Sequence, residues 1–252
     1  MIREGDLVLI WIDRRRKKVV KVERGKTFGS DMGVLKLDEV IGKEYGESVR
    51  LSTGVKAFLL KPTLEDVLYS FKRRTQVIYP KDIGIMLVKL GIKPGMKVLE
   101  GGTGSGFVTA SLAWLGTKVY TFEKRKEHLI IALRNLRWAN LIDNVIAVRG
   151  SIGEAPEVYG KGYFDAAVID MGDPWRVVDS VWDALKPGSP VAFWLPTFDQ
   201  LEKLKEALEG KFLWQESLEL WERRIKVEKG ATRPEQLGIS FTGFWAFARK
   251  VS

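Results

Sequence analysis

The chain contains no cysteine, which excludes disulfides, thiolate nucleophiles and cysteine-ligated zinc. It has a single histidine, His128, so a histidine-built metal centre is not expected and no metal is predicted. Chemistry must then rest on carboxylates, hydroxyls, backbone dipoles or a bound organic cofactor. Asparagine and glutamine are also scarce, 3 and 4 residues against 41 Lys and Arg and 32 Asp and Glu, a balance met in thermophile proteins. No apolar run approaches the roughly 18 residues that span a bilayer. The first residues, Met1 to Asp6, lack the apolar core of a signal peptide. A cytoplasmic protein without a membrane partner is therefore expected. Low-complexity segments and internal repeats are absent too, and with 45% hydrophobic and 29% charged residues the chain reads as folded throughout.

What is abundant is positive charge. The formal net charge is +9, which favours an anionic partner, nucleic acid before acidic membrane. Residues 1–79 hold 17 Lys and Arg against 11 Asp and Glu, whereas residues 80–252 hold 24 against 21. Two thirds of the excess thus lies on the first third of the chain.

That first third reads as short strands and turns: Asp6 to Asp13, Val19 to Val22, Val34 to Leu37, Ser48 to Ser52 and Lys56 to Leu60. Between the first two lies Arg14-Arg15-Arg16-Lys17-Lys18, which fits either a solvated hairpin tip or a loop that contacts phosphates. Thr63 then offers an N-cap with Glu65 and Asp66 behind it, predicting a short helix that carries Val67, Leu68 and Phe71. A small basic β domain over 1–75, serving RNA binding or oligomerisation, is expected ahead of a second domain over 76–252.

From about residue 80 the pattern becomes an alternation of apolar strands and amphipathic helices, the mark of a mostly parallel sheet covered on both faces. Strands are expected at 97–101, 118–122, 145–149, 165–170 and 190–195, with helices over 81–90, 107–115, 125–139, 176–184 and 198–208. Phe212 to Val227 and Ser240 to Arg249 both read as strands, predicting an antiparallel pair at one edge. The expected fold class is α/β: a seven-stranded, Rossmann-like domain behind a small β domain, its antiparallel edge pair being the usual mark of the methyltransferase version of this fold.

The sharpest motif is Glu100-Gly101-Gly102-Thr103-Gly104-Ser105-Gly106 at the end of an apolar strand. Glycines at 102, 104 and 106 allow a tight turn and close approach of a ligand to backbone N–H groups. A dinucleotide fingerprint would need glycine where Phe107 stands, and a P-loop would need a lysine that this turn lacks. An acid before the glycines suits a cationic ligand, which favours S-adenosylmethionine. Glu123 ends the next strand, where a carboxylate can accept two hydrogen bonds from a ribose diol. His128, five residues on, is either a helix-surface residue or a neighbour of the adenine, and Ser151 follows the third strand, where it can reach the adenine amino group.

These residues resemble the tRNA (adenine-N1)-methyltransferases of archaea and bacteria, and the resemblance covers nearly the whole chain. Its most specific elements are Arg73-Arg74-Thr75-Gln76-Val77-Ile78-Tyr79-Pro80-Lys81-Asp82, the loop Asp170-Met171-Gly172-Asp173-Pro174-Trp175, and Arg233-Pro234 with Thr242-Gly243-Phe244 near the end. The resemblance implies methyl transfer from S-adenosylmethionine to N1 of the T-loop adenine 58, alone or with adenine 57, leaving S-adenosylhomocysteine. It further implies a homotetramer acting on tRNA. The first segment would close over the cofactor, with Gln76 touching it and Tyr79 lining the base pocket. Thr103 and Ser105, between the glycines, would join the cofactor contacts, and Arg233 would face the RNA. Asp170 would be the catalytic carboxylate, touching both cofactor and base: transfer of a methyl cation to N1 places positive charge on the adenine, and a carboxylate beside it stabilises that charge. Trp194 is read either as a stacking partner of an extruded adenine or as a core tryptophan.

Two positions depart from the family pattern: Ser151 replaces an aspartate, and Phe241 replaces a histidine. Two alternatives are a non-catalytic tRNA-binding subunit and a methyltransferase of another substrate such as isoaspartyl protein. Intact Glu100, Glu123, Asp170 and glycines weigh against the first, and the 75–82 and 170–175 segments against the second.

Overall fold

A computed structural model describes residues 1–236 and 238–252. The chain divides into two compact units, Met1–Lys72 and Arg73–Ser252.

The first unit is built on strands β1 (Leu7–Trp11), β2 (Lys17–Lys21), β3 (Thr27–Ser30), β4 (Gly33–Lys36), β5 (Ser48–Arg50) and β6 (Lys56–Leu60), followed by helix α1 (Leu64–Tyr69). A four-stranded antiparallel sheet runs in the order β2-β1-β6-β5, and β3 and β4 form a separate ribbon. Period-two alternation decides the faces. Val8 and Ile10 of β1 and Ala57 and Leu59 of β6 turn inward onto Phe28, Leu35, Val49 and Leu51. The basic run is divided: Lys17 and Lys18 belong to β2, opposite Trp11 and Ile10. Asp13 closes the turn, its Oδ1 accepting from the backbone N–H groups of Arg15 and Arg16 at 2.8 and 2.9 Å. The Arg16 guanidinium bridges Asp13 and Asp31, and Arg14 and Arg15 are exposed at the turn. Strand β3 has no signal in the sequence, because Thr-Phe-Gly-Ser carries one apolar residue and no readable period. Helix α1 starts as expected at Thr63, whose hydroxyl accepts from Asp66 N–H in a reciprocal capping box.

The second unit comprises α2 (Pro80–Lys89), β7 (Lys97–Gly101), α3 (Phe107–Trp114), β8 (Lys118–Phe122), α4 (Lys126–Trp138), β9 (Val145–Val148), α5 (Ala155–Tyr159), β10 (Ala166–Asp170), α6 (Val178–Ala184), β11 (Pro190–Leu195), α7 (Phe198–Ala207), β12 (Phe212–Leu218), the two-residue strands β13 (Ile225–Lys226) and β14 (Arg233–Pro234), and β15 (Phe244–Lys250). Its seven-stranded sheet has the order β12-β15-β11-β10-β7-β8-β9, parallel except for β15, which runs antiparallel to both neighbours. This is the expected Rossmann-like class. Strands β7, β10 and β11 are buried along nearly their whole length, as a parallel sheet covered on both faces requires. Helix α3 is buried from Phe107 to Ala113, so its mostly apolar composition is a packing requirement.

The C-terminal reading needs correction. The strands expected over 212–227 and 240–249 are shorter, β12 ending at Leu218 and β15 starting at Phe244, and the chain between them forms the small β13–β14 ribbon. Gly243, at φ 149°, cannot continue a strand, and the charged run Glu222-Arg223-Arg224 has no face to bury. Similarly, Pro174–Val177 forms a 3₁₀ turn, so α6 begins at Val178 rather than at residue 176. Short α5 has no counterpart in the sequence pattern.

Strand order reverses between β7 and β10, since β8 and β9 extend one way and β11 and β15 the other. The carboxyl ends of β7 and β10 therefore open a crevice at the topological switch point, where ligands bind in sheets of this kind.

Candidate active site

The glycine turn leaves β7 into that crevice. Gly102 has φ 91°, and a β-carbon there would stand 1.8 Å from the Asp170 carbonyl oxygen. Only glycine permits both the left-handed backbone and the close passage of the turn across the end of β10. Gly106, at φ 87°, then starts α3 without a side-chain cap. Gly102, Thr103, Gly104 and Ser105 line one side of an open cleft, Phe107 and Val108 extend it, and Asp170 closes its end.

The facing wall is the segment 75–78. It is tied down on Ser105: Thr75 Oγ1 lies 2.9 Å from Ser105 Oγ, and Arg74 N–H donates to the same oxygen at 3.3 Å. Asn135 Nδ2 of α4 in turn donates to the Ser105 carbonyl at 2.9 Å, so two segments hold one turn. Gln76 lines the cleft and is exposed. Tyr79 is the next residue but one after the lining residue Val77 and serves as the extended N-cap residue of α2, its carbonyl accepting from Asp82 and Ile83 N–H. It is half-buried and does not line the cleft.

Three carboxylates surround the turn. Glu100 is buried and does not line the cleft; its Oε2 accepts from Thr109 Oγ1 at 2.7 Å, and Thr121 also bonds it. Dehydration pushes its pKa up to about 7, opposed by those two hydroxyls and reinforced by the charges of Asp170 and Glu123. Glu123 is buried at the end of β8; Oε2 accepts from Gly104 N–H at 3.1 Å and Oε1 from Arg125 N–H at 3.0 Å. Asp170 ends β10 in register with Trp194 of β11. Its pKa also rises to about 7, first from dehydration and then from the charge of Glu123.

His128 is not on the helix surface. It is buried on α4 with Nδ1 4.0 Å from Glu123 Oε2, and that nitrogen has no hydrogen-bond partner among the described residues. Ser151 stands next to Gly150, whose N–H donates to the Glu123 carbonyl at 3.2 Å, but its hydroxyl caps its own 3₁₀ turn by accepting from Gly153 N–H. Trp194 is 8% exposed, packed edge-on to Trp245 at 4.8 Å between centroids. Arg233 lies exposed in β14, paired with β13 and outside the cleft lining. The structure thus gathers Gln76, the glycine turn, Glu123, His128 and Asp170 at the carboxyl ends of the central strands, and leaves Arg233 outside the cleft lining.

Thr75, Thr109, Thr121 and Asn135 are not singled out by the sequence pattern. A faint signal exists for two of them: Thr109 interrupts an apolar helix and Thr121 an apolar strand, and a buried hydroxyl needs a partner.

Residues 56–249 match the family described as tRNA methyltransferase complex GCD14 subunit. The chain is 29% identical to the tRNA (adenine(57)-N(1)/adenine(58)-N(1))-methyltransferase TrmI of Methanocaldococcus jannaschii, over 94% of this chain and 93% of that one. Among solved structures it is similar to the tRNA (m1A58) methyltransferase TrmI of Aquifex aeolicus, at 35% identity and TM-score 0.85 over 100% of this chain and 99% of that one. It is also similar to a SAM-dependent O-methyltransferase of Thermotoga maritima, at 32% identity and TM-score 0.89 over 100% and 95%. With a match that spans most of its length and relatives of the same extent, the chain belongs to the GCD14 family of tRNA methyltransferase subunits.

Proposed function

We propose that this protein transfers the methyl group of S-adenosylmethionine to N1 of adenine 58 in the T-loop of tRNA, alone or together with adenine 57. The observation that carries this reading is the cleft at the β7/β10 switch point, where the Gly102 turn and the 75–78 segment face each other and Asp170 closes one end.

The residues fit the cofactor. A cradle that a single β-carbon would fill, buried Glu123 beside Gly104, and the unpartnered nitrogen of His128 together favour a cationic nucleoside. Gln76 and the 102–106 turn would hold its amino-acid end and Glu123 its ribose, with His128 and Ser151 near the adenine. When bound, the cofactor supplies an electrophilic methyl group on a sulfonium. Glu100, set behind the turn, contributes its field and the hydroxyl-bonded geometry of Thr109 and Thr121.

The substrate adenine presents a nucleophilic N1 lone pair, so a strong base is not required. Asp170 accepts from the exocyclic amino group, holds N1 in line and stabilises the charge that develops on the ring. Tyr79 and Trp194 would form walls of the base pocket. The T-loop base must be extruded to reach it, and the excess positive charge of the first third supports that unit as an RNA clamp, in a homotetramer whose protomers share one tRNA.

The test is transfer of labelled methyl groups to an unmodified tRNA transcript with the product mapped by position and atom. Label at N1 of a T-loop adenine, reduced by roughly 100-fold or more in Asp170→Asn with cofactor affinity kept within a few-fold, is expected. Label on a ribose oxygen would instead align the protein with the Thermotoga neighbour's named activity. Tight tRNA binding without any label would mark a non-catalytic subunit.

A further inference from the structure

The Tyr79-Pro80-Lys81-Asp82 segment and the Thr242-Gly243 turn lie 160 residues apart in sequence, and a buried polar network joins them. Asp82 is fully buried and Lys81 almost so. Lys81 Nζ donates to Asp82 Oδ1 at 2.8 Å, to Thr242 Oγ1 at 2.7 Å and to the Leu220 carbonyl at 2.7 Å. The Thr242 hydroxyl passes the chain on, donating to Asp82 Oδ2 at 2.8 Å. Every proton of the ammonium is thus placed, and both carboxylate oxygens are engaged.

A helix start needs no buried ion pair. Removing two charges from water costs several kcal/mol, and an apolar pair of similar size is often as stable. Such a pair therefore suggests a requirement of position rather than of stability. Its surroundings show which position. The Asp82 carbonyl accepts from Trp245 Nε1 at 2.9 Å, and Trp245 packs edge-on against Trp194 at 4.8 Å. The neighbour of Thr242 is Gly243, where a β-carbon would stand 2.4 Å from the Trp194 ring. Trp194 itself pairs in register with Asp170. Asp82 therefore reaches Trp194 by two routes, through Trp245 and through the Thr242-Gly243 turn, while its own segment runs directly into the 75–78 wall of the cleft.

We infer that Lys81, Asp82 and Thr242 are positioning residues: their buried network sets the 76–79 segment and the Trp194 ring at mutually fixed places, so that cofactor side and base side of the site are assembled as one piece. The inference rests on the proposed methyl transfer for its kinetic consequence. Its structural consequence stands without it.

The test compares the intact protein with Thr242→Val, which keeps shape but removes both hydroxyl bonds, and with the paired replacement Lys81→Met/Asp82→Leu, which removes the charges together. Turnover of tRNA is expected to fall roughly 10- to 100-fold in both, because misplacement acts on the aligned state. The paired variant should keep the Tm of the parent and still be slow. In parallel, 5-fluorotryptophan labelling with the Trp194 signal assigned by Trp194→Phe should show that resonance displaced in both variants. A Trp194 resonance unchanged from the parent overturns the inference, as does turnover that simply follows Tm and returns with it in the paired variant. If the parent itself methylates no tRNA, the function reading fails, and the fluorine signal still decides whether the network positions Trp194.

Discussion

Glu100 and Asp170 both titrate near 7, and in each case dehydration is the leading cause. A carboxyl whose pKa in the folded protein exceeds its unfolded value is held best as the neutral acid. Its contribution to stability is complete below the unfolded value near 4.5 for Glu100 or 3.8 for Asp170, and is lost as pH rises through about 7. Without cofactor, Tm should therefore decline between about pH 4.5 and 7 and level off above that range, and Glu100→Gln should flatten the decline. An unchanged slope in that variant would remove Glu100 as its source. A bound cofactor, being cationic, should flatten it as well. At this scale much of the site was legible, because acids at strand ends and glycines after a strand announce themselves. The partners of those acids were not: Thr109 meets Glu100 only once α3 packs on β7, and a hydroxyl in an apolar run does not name its acceptor.

The segment 74–78 belongs to no helix or strand. It is anchored through two bonds to Ser105 Oγ, from Thr75 Oγ1 and Arg74 N–H. Thr75→Val keeps the volume and removes the first. Loss of one net hydrogen bond is worth about 1 kcal/mol, so cofactor Kd should weaken roughly five-fold by calorimetry while Tm moves little. A drop in Tm without a change in Kd would assign Thr75 to packing alone. The parallel strands were readable because both faces are buried and the apolar runs are continuous. The C-terminal segments were misjudged in length for the opposite reason: the edge strand β12 alternates between covered and exposed residues rather than presenting a continuous apolar run, and the stop at Gly243 depends on a backbone angle that composition does not display.

For the molecule as a whole, the net charge of +9 makes an anionic partner an electrostatic expectation, and its concentration on the first third makes the β1–β2 tip the place to test it. Arg14, Arg15 and Lys18 are exposed there. Replacing the three by Ala should raise the KM for tRNA and make its dependence on salt shallower, with turnover at saturating tRNA preserved. Each phosphate that is no longer neutralised takes about 0.9 from the logarithmic salt slope in a duplex. An unaltered slope would leave the tip as a solvated turn.

The sequence by itself determined the α/β class, the mostly parallel sheet with an antiparallel pair at one edge, the glycine turn and the acids flanking it, because burial periodicity and backbone permissiveness are local properties. Tertiary structure alone decided that Gly102 must pass under the Asp170 carbonyl, that His128 is buried with its Nδ1 unpartnered among the described residues, and that Lys81, Asp82 and Thr242 share one network. Each of these depends on strand order and on the meeting of residues far apart in the chain. A local pattern carries no record of such meetings until the sheet brings the residues together.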